Sequence, residues 1–272
     1  MCRVLRVSVS GYYAWKGRPE SRQAAANERL GERIVQLHTN SRGTYGVRRI
    51  HAALHQEHVL CGKQRVARLM NKAGLQGKGR ARRRPRTTVR DTARPAAPNL
   101  LNREFNADRP NAKWLADITY IDTLEGFLYL AAVLDVFSRR VVGWAMADHL
   151  REELVEEALR FALATRQPVD ALMHHSDQGS QYTSDDYLAL LDKHHITVSM
   201  SRTADCYDNA MMESLWGTLK AECADAPFAT RATARLAIFD YLEVWYNRQR
   251  LHSALDYTNP ASFERQCVLP IR

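Results

Sequence analysis

The sequence predicts an α/β protein: a five-stranded mixed sheet with flanking helices, preceded by a separate all-α unit. Three observations support this prediction. Residues 27–74 contain three segments with helical periodicity, residues 113–147 contain three strand-like segments, and helices then alternate with strands as far as residue 246. A chain of 272 residues, 45% hydrophobic and 25% charged, is long enough for two such units and has the composition of a globular protein.

The N-terminal helical segments are residues 27–39, 46–57 and 62–74, separated by short glycine-containing turns. This pattern predicts a helix-turn-helix DNA-binding domain over residues 27–76. In the third segment the apolar residues Val66, Leu69 and Met70 form the inward face. Candidate DNA contacts are the basic residues of the second and third segments: Arg48, Arg49, Lys63, Arg65 and Arg68. The alternative is a small helical bundle with a solvated basic face. Residues 1–26 are expected to be a poorly ordered lead-in or one short helix.

Charge divides the chain into two halves. Residues 1–110 carry 24 Lys and Arg against 7 Asp and Glu, whereas residues 111–272 carry 15 against 23. The most basic stretch lies in a linker predicted over residues 77–109, where Arg82, Arg83 and Arg84 could lie along phosphates or simply belong to a solvated tether. A basic half joined to an acidic half suits a protein that holds nucleic acid and also gathers carboxylates around metal ions.

The order of elements after residue 110 predicts the topology of the second domain. Strands are expected at residues 113–123, 127–136, 140–147, 171–175 and 197–201, with a helix at 152–164 and another starting at a capping box of Thr183 and Asp186. Helices at 205–222 and 233–246 complete the domain. This order is that of the ribonuclease H-like fold, which we expect over residues 110–250 and which a tail, residues 251–272, follows.

Three carboxylates stand out in this domain. Asp117 lies in mid-strand among apolar residues, where a charged group needs a partner. Asp177 ends a different strand, and Gly179 after it permits a tight turn. Glu213 flanks the apolar stripe of a helix, and that stripe consists of Met212, Leu215, Trp216 and Leu219. If the first and fourth strands are neighbours, the three acids converge at one edge of the sheet.

Three converging carboxylates predict a divalent cation, because hard cations such as Mg²⁺ choose oxygen ligands. Two such ions could support an in-line displacement at phosphorus. Other acids fit this role less well: Asp122 is expected to be solvated, and Asp135 to be a structural acid paired with Arg139 or Arg140. Asp205 and Asp208 are interpreted as turn and N-cap residues.

Several classes of protein and site are disfavoured. No apolar run is long enough to span a membrane, and five scattered cysteines do not form a disulfide framework, so a cytoplasmic protein is expected. Zinc is conceivable at one cluster of side chains, but ordinary surface and turn histidines are the preferred explanation because the candidates are confined to eleven residues. That cluster is His51, His55, His58 and Cys61.

Five segments carry a resemblance to a known family. They are WLADITYI, VLDVFSRRVVGW, HSDQGSQYTS, DCYDNAMMESLWGTLKAE and YNRQRLHSALDYTNPASF. They resemble the motifs of DDE insertion-sequence transposases of the OrfB type, the product of the second of two overlapping frames, with a retroviral-integrase-like catalytic core. Thirty-five residues separate Asp177 from Glu213, an interval typical of that family, and Lys220 follows Glu213 by seven residues.

The resemblance implies a catalytic and metal-binding triad of Asp117, Asp177 and Glu213. It implies two Mg²⁺ ions, with Mn²⁺ as a substitute, and cleavage of element ends followed by strand transfer. Lys220 is expected to contact DNA near the scissile bond, with a surface lysine as the alternative. Arg248 and Arg250 belong to a family motif for which DNA contact is favoured over catalysis.

The resemblance also implies partners: double-stranded DNA, as the terminal inverted repeats and as the target, further copies of the chain in a synaptic complex, and a fusion partner from an upstream frame. A nucleoid-associated bacterial protein with no membrane contact is expected. Two other functions stay open. One is a catalytically silent helix-turn-helix regulator, and the other is a ribonuclease H-like nuclease without strand transfer.

Overall fold

The computed structural model describes residues 2, 4–79, 97–168, 171–202 and 206–268. The chain divides into two compact units, residues 1–77 and residues 78–272. Arg82, Arg83 and Arg84 of the predicted linker lie outside the described residues, as does Asp205. Within the described part, no helix is both long and apolar enough to cross a membrane.

The first unit is helical. It contains α1 (Val9–Lys16), α2 (Arg22–Asn40), α3 (Val47–Gln56) and α4 (Lys63–Lys72). Helix α2 begins five residues before the predicted start because the Ser21 hydroxyl accepts a hydrogen bond from the Ala24 backbone N–H (3.1 Å) and caps it. The predicted inward face of α4 is confirmed, and the buried residues of α2 to α4 form a shared core: Leu30, Ile34, Ile50, Leu54, Val66, Leu69 and Met70.

The second unit is built on a five-stranded sheet. Its strands are β1 (Lys113–Ile121), β2 (Leu128–Asp135), β3 (Val141–Ala147), β4 (Met173–Ser176) and β5 (Thr197–Met200), in the spatial order β3-β2-β1-β4-β5. The first three strands are antiparallel, whereas β4 is parallel to β1 and β5 is parallel to β4. The predicted mixed sheet of a ribonuclease H-like fold is therefore confirmed, including the neighbouring first and fourth strands.

Two helices cover one face of this sheet. They are α5 (Glu152–Arg166) and α6 (Asp185–Lys193), and they enclose a core with Trp114 and Ala116 of β1. At Gly143 of β3 a Cβ atom would collide with the backbone oxygen of Ala158, so the close approach of α5 requires glycine. The predicted cap of α6 is wrong: the Ser184 hydroxyl accepts from the Tyr187 N–H (3.3 Å).

The remaining helices follow the last strand. Helix α7 (Ala210–Glu222) packs against β1, and α8 (Arg231–Phe239) continues as a π-helix over Asp240–Tyr246, so the long helix expected at residues 233–246 changes type within its length. Helix α9 (Pro260–Val268) falls in the predicted tail. Its Glu264 is buried and bonded to the guanidinium groups of Arg140 and Arg166, which attach this helix to β3 and α5.

Candidate active site

Strand register brings two of the acids side by side. Leu115 of β1 is the Cα partner of His175 in the parallel strand β4. Two residues further along each strand come Asp117 and Asp177, which therefore leave adjoining strands at the same level. Asp117 alternates with Ala116 and Ile118, which face the core under α5 and α6, so its side chain points to the opposite face, towards α7.

The carboxylate of Asp117 accepts a hydrogen bond at each oxygen. Oδ1 accepts from the backbone N–H of Ile118 (2.8 Å), and Oδ2 accepts from the indole N–H of Trp216 on α7 (3.0 Å). Helical periodicity predicts only that Trp216 belongs to the apolar stripe. Its ring is indeed buried, at 7% exposure, but its one polar atom is directed at a predicted catalytic acid. The signal in the sequence was its position three residues after Glu213 and four before Lys220.

Negative charge is concentrated around Asp117. Burial, then the charge of Asp177, and to a smaller extent that of Glu213, raise the pKa of Asp117 to about 8 against the opposing effect of its hydrogen bonds. The three acids come from β1, the loop after β4, and α7, so acids from two other elements act on the carboxyl group of Asp117. Asp177 is held by its own turn, where its Oδ1 accepts from the N–H of Gly179 (3.0 Å).

Lys220 brings a positive charge to the same place. Its ammonium lies over the ring of Tyr120, 4.0 Å from the centroid. Burial lowers the pKa of Lys220, while the charges of Asp122 and Asp117 raise it. Glu213 and Lys220 thus both act on Asp117 from α7, which fits their predicted location on one side of the helix.

Tyr182 supplies a buried polar atom at this site. It is 2% exposed, and among the described residues its hydroxyl has no hydrogen-bond partner. Burial raises the pKa of Tyr182 well above its ordinary value, and the charges of Tyr187, Asp117 and Asp177 add to the effect, so the hydroxyl keeps its proton. A buried hydroxyl normally has a partner. Tyr182 stands in the segment HSDQGSQYTS but is not among the predicted site residues.

The donor set fits a hard cation. The acids offer carboxylate oxygens, and the charges of Asp177 and Glu213 act unfavourably on the ionised form of Asp117. As the side chains stand, the described residues contain no group of three or more His, Cys, Asp or Glu that could hold a metal ion. Asp177 and Glu213 therefore act electrostatically on Asp117, but the three side chains do not form a closed ligand shell.

The competing acids have other environments. Asp122 is exposed, as expected. Asp135 is a buried structural acid, but its bonds come from the backbone N–H groups of Asn111 (2.7 Å) and Ser138 (2.8 Å), whereas Arg140 is paired with Glu264.

The prediction that Asp208 is an N-cap is wrong. Its side chain is fully buried and accepts from Asn99 (2.8 Å), Arg103 (3.0 Å) and Arg202 (2.8 Å), while Asn209 occupies the N-cap position of α7. The bonds from Arg202 hold the pKa of Asp208 well below its usual range. This ion cluster ties the chain before β1 and the chain after β5 to the start of α7.

The predicted DNA contacts of the helical unit differ in exposure. Arg48, Lys63 and Arg68 are exposed, and Arg49 is half-buried with its guanidinium 5.6 Å from the ring centroid of Tyr45. Arg65 is half-buried, and its Nε donates to Asn27 (2.8 Å), which joins α4 to α2. Three basic side chains on α3 and α4 are therefore presented to solvent.

The motif around Arg250 is structural. Arg248 is exposed, but Arg250 is 4% exposed and its guanidinium is bonded to Glu222 at the end of α7 (2.7 Å). Asn247 fixes the same segment to β3, since its side chain both accepts from and donates to the backbone of Val141. Because the Arg250 side chain is buried and paired with Glu222, it is not available for the predicted contact with DNA.

The histidine cluster has a local role in the turn between α3 and α4. The Nε2 atoms of His51 and His55 lie 3.0 and 3.4 Å from the backbone oxygen of Cys61, and their rings are tilted against each other with centroids 4.3 Å apart. These contacts fix the residue that precedes the N-cap of α4. They fit the preferred explanation of ordinary turn histidines.

Comparisons with known proteins agree with this architecture. Residues 107–206 and 194–260 match two models described as integrase core domains, and residues 25–84 match an HTH-like domain. One solved structure with a similar fold is a chain of the simian T-cell lymphotropic virus intasome, with a TM-score of 0.50 and 16% identity over 88% of this chain and 76% of that one.

Proteins similar over nearly the whole chain include transposases. The chain is 44% identical to the transposase for insertion sequence element IS904 of Lactococcus lactis, over 91% of this chain and 98% of that protein. It is 38% identical to transposase InsF for insertion sequence IS3A of Escherichia coli, over 98% and 93%. Identity of this extent across both units shows that the chain belongs to the DDE insertion-sequence transposases, which join an HTH-like DNA-binding domain to an integrase catalytic core.

Proposed function

We propose that Asp117, Asp177 and Glu213 are the catalytic acids with which this transposase cleaves the ends of an insertion element and transfers the strands to target DNA. The observation that carries this proposal is the convergence of two carboxylates from other elements on Asp117. Perturbed acids brought together at a sheet edge are typical of functional sites.

The three acids would hold Mg²⁺, two ions in all, with Mn²⁺ as a substitute. Such ions, when bound, activate the attacking oxygen and stabilise the leaving oxygen of an in-line displacement at phosphorus. The chain's own residues bind and orient: Ile118 and Trp216 hold the carboxylate of Asp117, and the turn at Gly179 holds Asp177. Lys220, beside Asp117, would bind a phosphate close to the scissile bond.

The exposed basic residues of α3 and α4 would hold double-stranded DNA, namely the terminal inverted repeats and the target. Arg48, Lys63 and Arg68 support this role by their exposure, and Arg248 offers a further exposed charge on the catalytic unit. Because two element ends must be brought together for joining, we infer a homo-oligomer associated with the nucleoid. The upstream-frame fusion partner remains a prediction from the family resemblance.

The experiment uses the full chain with DNA carrying the element's terminal repeats. Asp117→Asn, Asp177→Asn and Glu213→Gln should each reduce Mg²⁺-dependent cleavage and strand transfer by at least a thousandfold while DNA affinity changes less than threefold. Asp192→Asn is the matched control, since Asp192 is an exposed aspartate on α6 and the variant should keep its activity. Strand transfer by the Asp117 variant would refute the assignment. DNA binding by the unmodified chain without any metal-dependent cleavage would instead indicate a silent regulator.

A further inference from the structure

One polar contact links the helix that carries Glu213 directly to Asp117. The indole Nε1 of Trp216 donates to Asp117 Oδ2 at 3.0 Å, while the Ile118 N–H occupies Oδ1 at 2.8 Å. The carboxylate is therefore held from two sides, by its own strand and by α7. An indole has a single N–H and no acceptor, so its bond to a carboxyl oxygen has one defined donor and one direction.

Trp216 lies between Glu213 and Lys220 on α7, so its bond to Asp117 also affects where those two residues are placed. Glu213 precedes it by three residues and Lys220 follows it by four, so all three side chains project from one side of the helix. A buried indole whose N–H has an acceptor fixes both the rotation of α7 and the plane of the Asp117 carboxylate. Loss of the bond would release both.

We propose that Trp216 is a positioning residue that orients Asp117 for metal binding. This inference rests on the function proposed above. Hydrogen bonds from surrounding groups orient metal-binding side chains in general, and their removal weakens metal affinity or activity about 10- to 100-fold.

The test compares two tryptophan-to-phenylalanine changes in the full chain. Trp216→Phe keeps an aromatic ring in the core but removes the donor to Asp117. Trp144→Phe is the matched control, because the Trp144 indole also donates to a carboxylate, that of Glu243 (2.8 Å), from β3, which β2 separates from β1. Mn²⁺ binding is measured by electron paramagnetic resonance of free Mn²⁺, without DNA.

We expect the dissociation constant for Mn²⁺ to rise about tenfold in Trp216→Phe and to stay within twofold in Trp144→Phe. At saturating Mn²⁺ the kcat for strand cleavage should also fall in Trp216→Phe, with little change in KM for DNA. A folded Trp216→Phe protein with unchanged Mn²⁺ affinity would overturn the inference. If Asp117→Asn retained strand transfer, the proposed function itself would fail, whatever the tryptophan variants show.

A second measurement avoids any variant at Trp216. The five tryptophans give five indole resonances in a chain labelled with ¹⁵N at Nε1. Asp117→Asn replaces the carboxyl acceptor by an amide and should move one indole resonance, and Mg²⁺ titration of the unmodified chain should move the same one. If no indole resonance responds to Asp117→Asn, the bond to Trp216 does not exist in solution and the inference fails.

Discussion

Asp117 shows how individual residues create the chemistry of the site. Its side chain is half-buried, carries two hydrogen bonds, and meets the charges of Asp177 and Glu213. Such crowding of like charges is unfavourable in the absence of a cation, and this is the electrostatic arrangement by which carboxylate sites attract divalent ions. The surrounding fold must supply the free energy that keeps the acids together.

Tyr182 permits a prediction at the scale of one atom. Its buried hydroxyl is without a partner among the described residues and lies near the charges of Asp117 and Asp177. Tyr182→Phe removes only this oxygen, so the free energy of unfolding should stay the same or rise by up to about 1 kcal/mol. Cleavage should fall by up to about tenfold, because the substitution removes a polar group that interacts electrostatically with Asp117 and Asp177.

Denaturant unfolding and single-turnover cleavage measure the two effects. Tyr187→Phe provides a contrasting control on the same core, because the Tyr187 hydroxyl is bonded to His174 Nε2 (2.9 Å) and its loss should cost stability instead. A Tyr182→Phe enzyme that cleaves at the normal rate would show that the hydroxyl has no part in the site.

At the scale of elements, a buried ion pair fixes α7 from its C-terminal end. Arg250 and Glu222 have side chains exposed by only 4% and 3%, and Glu222 also accepts from Tyr241 and Trp245 of the π-helix. Arg250→Ala would leave the Glu222 charge buried and unpaired, so the free energy of unfolding should fall by about 3–5 kcal/mol.

Arg248→Ala is the matched change, two residues away and exposed, and should alter stability by no more than about 0.5 kcal/mol. Urea unfolding of the two variants measures the difference. Equal, small losses in both variants, together with weaker DNA binding by Arg250→Ala, would support a DNA contact for Arg250 and contradict the buried pair.

The elements also show what the sequence could and could not predict. The order of elements along the chain and the three candidate acids follow from local patterns: an apolar strand interrupted by Asp117, a strand ending at Asp177, and a helical stripe beside Glu213. The partner of Arg250 does not, because Glu222 lies 28 positions away, and for Asp208 only Arg202 is close in the chain, whereas Arg103 is 105 positions away. Trp216 was assigned to the core correctly, but periodicity cannot show where a single N–H points.

At the scale of the whole molecule, the two parts of the sequence carry opposite net charges. The N-terminal 110 residues carry an excess of 17 positive charges and the remainder an excess of 8 negative charges. Phosphate binding releases counterions and gains affinity without sequence information, whereas the acids need cations before they can approach a phosphate. These opposite requirements are met in different parts of the sequence, by basic residues up to residue 110 and by acids after it.

This division predicts how salt affects binding. Lys63 and Arg68 are exposed on α4, so Lys63→Ala combined with Arg68→Ala should remove about two phosphate contacts. Each contact contributes about 0.9 to the slope of log affinity against log salt concentration, so the slope should become shallower by about 1.8. The free energy of unfolding should change little, because neither side chain belongs to the buried core of the unit.

Lys193→Ala is the control for charge alone, since Lys193 is exposed at the end of α6 in the acidic half. Fluorescence anisotropy with terminal-repeat DNA between about 50 and 200 mM salt spans the range in which these slopes are resolved. A shallower slope in the α4 double variant and an unchanged slope in Lys193→Ala would place the phosphate contacts on the helical unit. If the double variant kept the original slope, α4 would be the solvated face of a small bundle, and other basic residues of the chain would have to hold the DNA.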